Sequence, residues 1–522
     1  MLGHAKNLFR NLIIYLGDAA TSVISLLLLP IFTHYLSPDD YGIIRLLLVV
    51  EAVTKVVFRW GVDTAFMRLY YDCRTQAARQ QLASTIFFFL LAVNGAILLI
   101  AIAGSSWLGA WTIGAAAPAV LVPLTITNIF VAGFYFIPYQ VLRIGERSTQ
   151  YITLTFTRSA ATIVARLLLV IWAGMGVLGI VLSDLIVTAL FTLVMLRWFI
   201  PLIRPVFSGP VLRKALAFGL PRVPHSVAQQ VMSGADSYFL KAYGTLADVG
   251  LYSMGATFGL ALRYFVSSFE LAWTPFFLSV MHEPDARQIY RVISTYVVAI
   301  LVLLVAGLAA LAPDVVALFT AAAFHDGAKV TPWIALAVMF QGLYIVGSIG
   351  LVITKRTMRY PIATGIAAAV SLLSNWLLVP RYGMMGAAYA SVLAYATLAG
   401  VTSVFSWREY PIPYEWMRLL RIAAAGAISF VLTQQVVLGA WPTAVRLIVH
   451  GVMVVATYAL TLYVTRFFHP GELQFVRDVR ARALRSGPRP KAPPPDRETE
   501  MGGDVVGTPP DISEADSRER DR

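Results

Sequence analysis

Residues 41–63 (YGIIRLLLVVEAVTKVVFRWGVD) constrain the fold most, because they are apolar enough to cross a bilayer yet carry five charged side chains. At 100° per residue on a helix, Arg45, Glu51, Lys55, Arg59 and Asp63 all fall within an arc of about 120°. An ionisable group that faces lipid costs about 2.5 kcal/mol or more, so this face must turn toward protein, water or a polar ligand. The rest of the chain is therefore expected to surround a polar interior.

The composition is that of a polytopic membrane protein. Of the 522 residues, 58% are hydrophobic and only 13% are charged, which excludes an ordinary soluble globule. Lys and Arg outnumber Asp and Glu by 41 to 28, but they lie mainly between apolar segments, where they set membrane orientation and do not indicate nucleic-acid binding. With Cys73 as its single cysteine, the chain has no thiolate metal cluster. We expect no metal or other cofactor, with H⁺ or Na⁺ as candidate coupling ions.

Apolar runs of roughly 20 residues, the length that spans the hydrocarbon layer, recur about fourteen times. The predicted spans, numbered 1 to 14 in chain order, are 11–32, 41–62, 82–103, 115–138, 151–172, 177–199, 216–240, 250–275, 291–312, 330–353, 360–379, 384–406, 419–439 and 443–467. Seventeen Lys and Arg residues lie in alternate loops and three in the others, which predicts that both termini are cytoplasmic.

The two halves of the chain repeat each other at an offset of 207 or 208 residues. Tyr35, Asp40 and Gly42 correspond to Tyr243, Asp248 and Gly250, while Gly176 and Gly179 correspond to Gly383 and Gly386. An even number of spans separates the copies, so they share one orientation, as in parallel-repeat transporters. The predicted organisation is an N-terminal six-helix lobe (1–200), a cytoplasmic inter-lobe linker (201–215), a C-terminal six-helix lobe (216–408), two additional transmembrane helices (409–469) and a disordered cytoplasmic tail (470–522).

Spans 1, 7 and 8 also have polar faces, so four helices at symmetric positions predict a hydrated cleft between two bundles. The candidates for binding an anionic substrate are Arg45, Lys55, Arg59 and Arg263. The candidates for ion coupling or for the polar lining are Asp18, Glu51, His225, Gln229, Asp236 and Glu270.

Structural roles for the same charges remain open at this stage. Glu51 and Lys55 lie one turn apart and could form an i,i+4 ion pair with each other. Arg45 lies near a helix end, from which its side chain could reach the membrane interface. Asp236 and Glu270 could hydrogen-bond between helices. The GMGVLG motif at 174–179 follows no strand, so it indicates close helix packing and not a dinucleotide site.

Several stretches resemble polysaccharide exporters of the multidrug/oligosaccharidyl-lipid/polysaccharide (MOP) superfamily. These stretches are LPIFTHYLSPDDYGIIRL (29–46), KALAFGLPRVPHSVAQQVMSGADSYFLKAYG (214–244), QGLYIVGSIGLVITKRT (341–357) and NWLLVPRYGMMGAAYASVLAY (375–395). As an ordered set they are similar to the Wzx-like O-antigen and capsule flippases.

The resemblance implies a MATE-like, all-α fold of two lobes, with spans 1, 2, 7 and 8 lining a cationic cavity. It also implies a translocase that moves undecaprenyl-diphosphate-linked oligosaccharides across the bacterial inner membrane, from the cytoplasmic to the periplasmic leaflet. Such a protein is not an enzyme, and the family offers no catalytic motif to carry over. The implied partners are the lipid-linked substrate, membrane lipids, and polysaccharide polymerase and chain-length proteins.

Two other functions compete with this interpretation. A cation-coupled multidrug exporter of the same superfamily should favour carboxylates and aromatic side chains in its cavity and typically has twelve helices. An integral-membrane polysaccharide polymerase or ligase usually needs a large outer loop, whereas the longest one predicted here, about 312–330, is short.

Overall fold

The computed structural model describes residues 27–114, 117–144, 148–356, 358–436, 439 and 441–468. These residues form nineteen α-helices and contain no β-strand. Most of predicted span 1, including Asp18, and the predicted tail 470–522 lie outside the described residues.

Nine of the helices belong to the first half of the chain. They are α1 (Leu29–Tyr35), α2 (Pro38–Arg59), α3 (Val62–Asp72), α4 (Gln76–Ala103), α5 (Ser105–Thr112), α6 (Leu121–Ala132), α7 (Phe136–Ile144), α8 (Ser148–Arg166) and α9 (Gly176–Phe199). A π-helical segment, Leu167–Trp172, extends α8.

The other ten helices belong to the second half. They are α10 (Gly209–Gly219), α11 (Val223–Tyr243), α12 (Leu246–Gly259), α13 (Leu262–Ser279), α14 (Ala286–Phe319), α15 (Thr331–Gly347), α16 (Ile349–Ile353), α17 (Arg359–Glu409), α18 (Trp416–Gln434) and α19 (Thr443–Val464).

The helices confirm the predicted all-α membrane fold. Nine helical segments of the described residues are long and apolar enough to cross a membrane. The helices α2 and α11, with 22 and 21 residues, have the length but are not among the nine, because their charged and polar side chains make them too hydrophilic. The polar faces of these two helices must therefore be turned away from lipid and toward the protein interior.

The repeat is visible in the backbone of two loops. The 51-residue α17 is two spans that meet at Gly383, whose φ of 54° and ψ of −131° are not helical. Its repeat partner, Gly176, has the same φ of 54°. Positive φ is strained for residues with a Cβ atom, so both copies use glycine where one span turns into the next.

The repeat is also visible at the starts of α2 and α12. The Asp40 carboxylate accepts a hydrogen bond from the Ser37 backbone N–H at 2.9 Å, and the Ser37 hydroxyl accepts one from the Asp40 N–H at 3.2 Å. Thr245 and Asp248 form the equivalent capping box, with distances of 2.9 and 3.1 Å. Each box satisfies two otherwise unpaired N–H groups at the first turn of its helix.

These two helices then cross with their backbones in contact. A Cβ atom on Gly42 would collide with the carbonyl oxygen of Leu246, and one on Gly250 would collide with the carbonyl oxygen of Pro38. Pro38 and Leu246 are themselves repeat partners, so the crossing is symmetric. We call it the α2–α12 crossing.

One prediction about residues 41–63 is wrong, because the helix does not continue to Asp63. It ends at Arg59, Trp60 and Gly61 have left-handed φ values of 50° and 69°, and α3 begins at Val62. Packing explains the break: the backbone of Gly61 touches the backbone of Gly219, and neither residue has space for a Cβ atom. We call this second backbone contact the Gly61–Gly219 contact.

The largest buried apolar cluster lies around the α2–α12 crossing. It joins Leu46 of α2 to Tyr252 of α12, Ile334 of α15 and Ala387 of α17. Helices from both halves of the chain therefore share one core, and the polar face of α2 borders it.

Candidate functional site

Two adjoining cavities follow the polar face of α2. The first has a volume of about 180 Å³, and its polar lining consists of Arg45, Gln230, Ser233, Asp236, Tyr252, Arg263, Ser391 and Tyr395. The second has a volume of about 500 Å³, and its polar lining consists of Glu51, Lys55, Arg59, Asp63, Thr64, Ser226 and Gln230. The side chains of Leu48, Ala52 and Gln230 line both, and Gly61 borders the second.

Arg45 of α2 is bound to the polar side of α11. Its Nε donates to the Ser237 hydroxyl at 2.9 Å, and its Nη2 donates to the Ser233 carbonyl at 3.0 Å. The same Nη2 lies 3.7 Å from the Asp236 carboxylate. The Arg45 side chain is 20% exposed and that of Asp236 only 6%. Arg45 therefore faces the interior and does not extend to the membrane interface.

Asp236 is the centre of a buried hydrogen-bond network. Its Oδ1 accepts from the Ser237 backbone N–H at 2.6 Å and from the Ser237 hydroxyl at 3.0 Å. Its Oδ2 accepts from the Tyr252 hydroxyl of α12, which in turn lies 3.4 Å from the Ser391 hydroxyl of α17. The interhelical hydrogen bonding considered for Asp236 from the sequence is therefore present.

Arg263 of α13 has no carboxylate partner among the described residues. It lines the first cavity together with the Tyr395 hydroxyl, with which it interacts. Its Nε atom is buried and makes no hydrogen bond. Leaving a buried donor unsatisfied costs about 1–3 kcal/mol, and more for a charged group.

The second cavity contains two local ion pairs. Lys55 Nζ pairs with Glu51 one helical turn away, and Arg59 Nη1 lies 3.3 Å from Asp63 Oδ2. The ion pair considered for Glu51 and Lys55 is therefore formed. Asp63 keeps its place beside Arg59 although it lies on α3, beyond the helix break.

These contacts leave a positive charge in the cavities. Four cations, Arg45, Lys55, Arg59 and Arg263, face three carboxylates, Glu51, Asp63 and Asp236. Three of the four cations lie beside a carboxylate, at Arg45, Lys55 and Arg59. The uncompensated charge among the described lining groups is therefore that of Arg263.

The remaining predicted site residues lie elsewhere. Asp18 is outside the described residues. His225 and Gln229 form a contact of 3.4 Å with each other and do not line either of the two cavities, where Ser226 and Gln230 stand instead. Glu270 of α13 is exposed and also lies outside both linings. The roles assigned to these residues stay predictions.

Sequence reasoning missed several lining residues. On α11, Ser226 and Gln230 line the second cavity and lie one helical turn apart, so this pair could have been found from the sequence. The hydroxyl groups of Tyr252, Ser391 and Tyr395 gave no such signal, because tyrosine and serine are common in membrane helices. Among the described residues, no three His, Cys, Asp or Glu side chains come together as a metal site would require.

The sequence profile of a family described as polysaccharide biosynthesis protein matches residues 31–329. This match covers more than half of the chain, including α2, α11, α12 and α13. The chain belongs to the polysaccharide biosynthesis protein family. A comparison with curated protein sequences finds no match.

Solved structures show which fold this family member has. The lipid II flippase MurJ in an inward closed conformation aligns with a TM-score of 0.71 at 16% identity, over 90% of this chain and 100% of MurJ. An inward-facing multidrug resistance MATE family transporter of the MOP superfamily aligns with a TM-score of 0.52 at 15% identity, over 77% of this chain and 96% of the transporter. The outward-facing MATE structure aligns with a TM-score of 0.52 over 80% of this chain. These likenesses confirm the predicted MOP fold.

Proposed function

We propose that this protein is a flippase for undecaprenyl-diphosphate-linked oligosaccharides, the repeat units of O-antigen, capsule or exopolysaccharide. It moves them from the cytoplasmic to the periplasmic leaflet of the bacterial inner membrane by alternating access, with both of its own termini in the cytoplasm. The observation that carries the proposal is the uncompensated charge of Arg263 in a cavity of a polysaccharide biosynthesis family member. The likeness to a lipid II flippase supports it.

In this mechanism the substrate diphosphate binds at Arg263. A guanidinium group presents several N–H donors to phosphate oxygens, and such charge-assisted hydrogen bonds are about twice as strong as neutral ones. The buried Nε and the neighbouring Tyr395 hydroxyl give the anion a defined position. Arg45, already bound to Asp236 and Ser237, holds α2 and α11 at a fixed distance and adds positive potential.

The sugars occupy the second cavity, whose volume of about 500 Å³ is in the range of small-ligand sites. Its ion pairs are partly exposed, with the Lys55 and Arg59 side chains 47% and 54% accessible. Exposed pairs are worth about 0–1 kcal/mol, so Lys55 and Arg59 can exchange their carboxylate partners for groups of the substrate at small cost. The prenyl chain stays in the lipid.

Alternating access requires that the cavities can be closed on either side of the membrane. Two backbone contacts of the fold lie at opposite ends of α2, where such closures are needed. The Gly61–Gly219 contact borders the second cavity, and the α2–α12 crossing lies beyond Arg45 at the other end of α2. Opening the first admits substrate from the cytoplasmic side, and opening the second releases it to the periplasmic side. The cycle is coupled to H⁺ or Na⁺, with Asp236 and Glu270 as candidate carriers, needs no other cofactor and is not enzymatic. Polysaccharide polymerase and chain-length proteins receive the product.

The test is to extract lipid-linked oligosaccharides from a strain depleted of this protein and to determine which leaflet they occupy. We expect complete units to accumulate in the cytoplasmic leaflet while the surface polymer is lost. Normal lipid-linked pools with altered sensitivity to cationic drugs would contradict the proposal and favour the multidrug exporter.

The same strain tests the role of Arg263. Arg263→Gln should abolish surface polymer, and Arg263→Lys should retain part of it because the charge remains. The matched control is Arg381→Gln, which removes an exposed arginine of α17 outside both cavities. Normal polymer in a stably inserted Arg263→Gln variant would refute the diphosphate site.

A further inference from the structure

His450 of α19 lies in a polar cluster whose residues line neither of the two cavities. Its Nδ1 is 3.0 Å from Asp314 Oδ2 of α14. Its Nε2 is 3.2 Å from the Val436 carbonyl oxygen, just beyond the end of α18. The other carboxylate oxygen of Asp314, Oδ1, forms an ion pair with Arg446 Nη2 at 3.0 Å. The cluster thus joins three helices, of which α18 and α19 lie outside the predicted repeat.

The two ring contacts cannot both be hydrogen bonds of a neutral imidazole. Both partners are oxygen acceptors, so each contact needs a hydrogen on the ring nitrogen, and a neutral imidazole has only one. A neutral ring would direct a nitrogen lone pair at either the Asp314 carboxylate or the Val436 carbonyl. The imidazolium form donates to both.

The ring and its carboxylate partner are shielded from water. The His450 side chain is 13% exposed and that of Asp314 is 8% exposed, so water screens the pair little. The Val436 carbonyl is at the C-terminal end of α18, where the helix dipole is negative. Arg446, one turn earlier on α19, is the opposing cation. On α18 the described charged residues are Arg418 and Arg421, which lie at the other end of that helix.

We propose that His450 is a proton-binding site that fastens α18 and α19 to α14. With the proton bound, the ring joins Asp314 to the Val436 carbonyl. When the proton leaves, one of these two hydrogen bonds is lost and the end of α18 is released. At the opposite end of α14 the ion pair contains no histidine: Arg291 lies 3.6 Å from Glu415.

The first test observes the ring directly. The full-length protein is labelled with ¹⁵N-histidine in lipid nanodiscs, and the His450 signal among the seven histidines is assigned by its loss in His450→Gln. At pH 7 we expect both ring nitrogens of His450 to resonate as N–H, as in imidazolium. A non-protonated ring nitrogen at pH 7 would overturn the proposal.

The second test uses two neighbours whose removal has opposite effects. Asp314→Asn removes the attracting charge and should lower the midpoint of the His450 titration. Arg446→Gln removes the repelling charge and should raise it. A charge at this distance shifts such a midpoint by about one pH unit or more. Equal midpoints in both variants would overturn the proposal, because the two charges would then not act on the ring. If Asp314→Asn fails to fold, the direction in Arg446→Gln decides.

The third test measures the release of α18. Hydrogen exchange of residues 432–436, corrected for its intrinsic pH dependence, should accelerate in the wild type as pH rises through the His450 titration. His450→Gln should abolish this pH dependence, because glutamine does not titrate. The matched control is His325→Gln, which replaces an exposed histidine between α14 and α15. This variant should keep the pH dependence of exchange. Exchange independent of pH in the wild type would contradict the release.

Discussion

Gly42 and Gly250, separated by 208 residues in the chain, contact each other's helices reciprocally. Gly42 rests on the Leu246 carbonyl, and Gly250 rests on the Pro38 carbonyl. Neither contact has room for a Cβ atom, so main chain packs directly against main chain. At the two glycines themselves no side chain lies between the backbones, so a partial separation there would leave an unfilled gap.

The first prediction is that Gly250→Ala holds the α2–α12 crossing open and abolishes transport. Overpacking costs about 1–3 kcal/mol, which shifts the ratio of closed to open states by roughly five- to 150-fold. Alkylation of Leu48→Cys, in a Cys73→Ser background, from the proposed periplasmic side should accelerate accordingly. Gly307→Ala on α14 is the control, because a Cβ atom there meets nothing within 4 Å. Unchanged alkylation in Gly250→Ala would show that the crossing does not gate the cavities.

The second prediction concerns the opposite closure. Gly219 has helical φ and ψ of −83° and −47°, so Gly219→Ala adds no backbone strain and only brings a Cβ atom against the Trp60 and Gly61 backbone. We expect faster labelling of Thr64→Cys from the proposed cytoplasmic side and loss of transport. Gly400→Ala on α17, which faces open space, should behave as the wild type. Labelling that accelerates from the periplasmic side instead would reverse the assigned orientation.

The third prediction is that Asp236 and Arg45 depend on each other for stability. Asp236→Asn leaves the Arg45 guanidinium without its charge partner, which for a buried pair costs about 3–5 kcal/mol. The double variant Arg45→Met with Asp236→Asn should be more stable than the sum of the single effects, by about 0.5–3 kcal/mol. Thermal unfolding in detergent measures these differences. Lys329→Gln, which breaks an exposed pair with Asp326, should leave the free energy of unfolding unchanged within measurement error, because water screens that pair.

The fourth prediction separates paired from unpaired cations. Replacing both Glu51 and Lys55 by Gln leaves the net charge of the cavities unchanged, so substrate transport in proteoliposomes should fall only a few-fold. Arg263→Gln changes that net charge and should reduce transport to background. Equal losses in the two variants would mean that the second cavity, and not Arg263, dominates binding of the anion.

The sequence predicted the features that depend on regular spacing. The polar face with Arg45 and Glu51 followed from helical periodicity, and the repeat followed from glycine and aspartate at a constant offset. The break at Trp60 could not be predicted, because its cause is the approach of Gly219 from a distant part of the chain. Which cations are neutralised was also not predictable, since the i,i+4 spacing permits the Lys55 pair but does not place Asp236 beside Arg45.

The two closures have a consequence for how this protein can diverge. In the proposed mechanism, the glycine contacts that open and close are made by main-chain atoms. The side chains proposed to bind the substrate, Arg263 and Tyr395, line the first cavity and are not part of these glycine contacts. Substitutions at the substrate-binding residues can therefore change which sugars are recognised, while the glycine contacts that open and close stay the same.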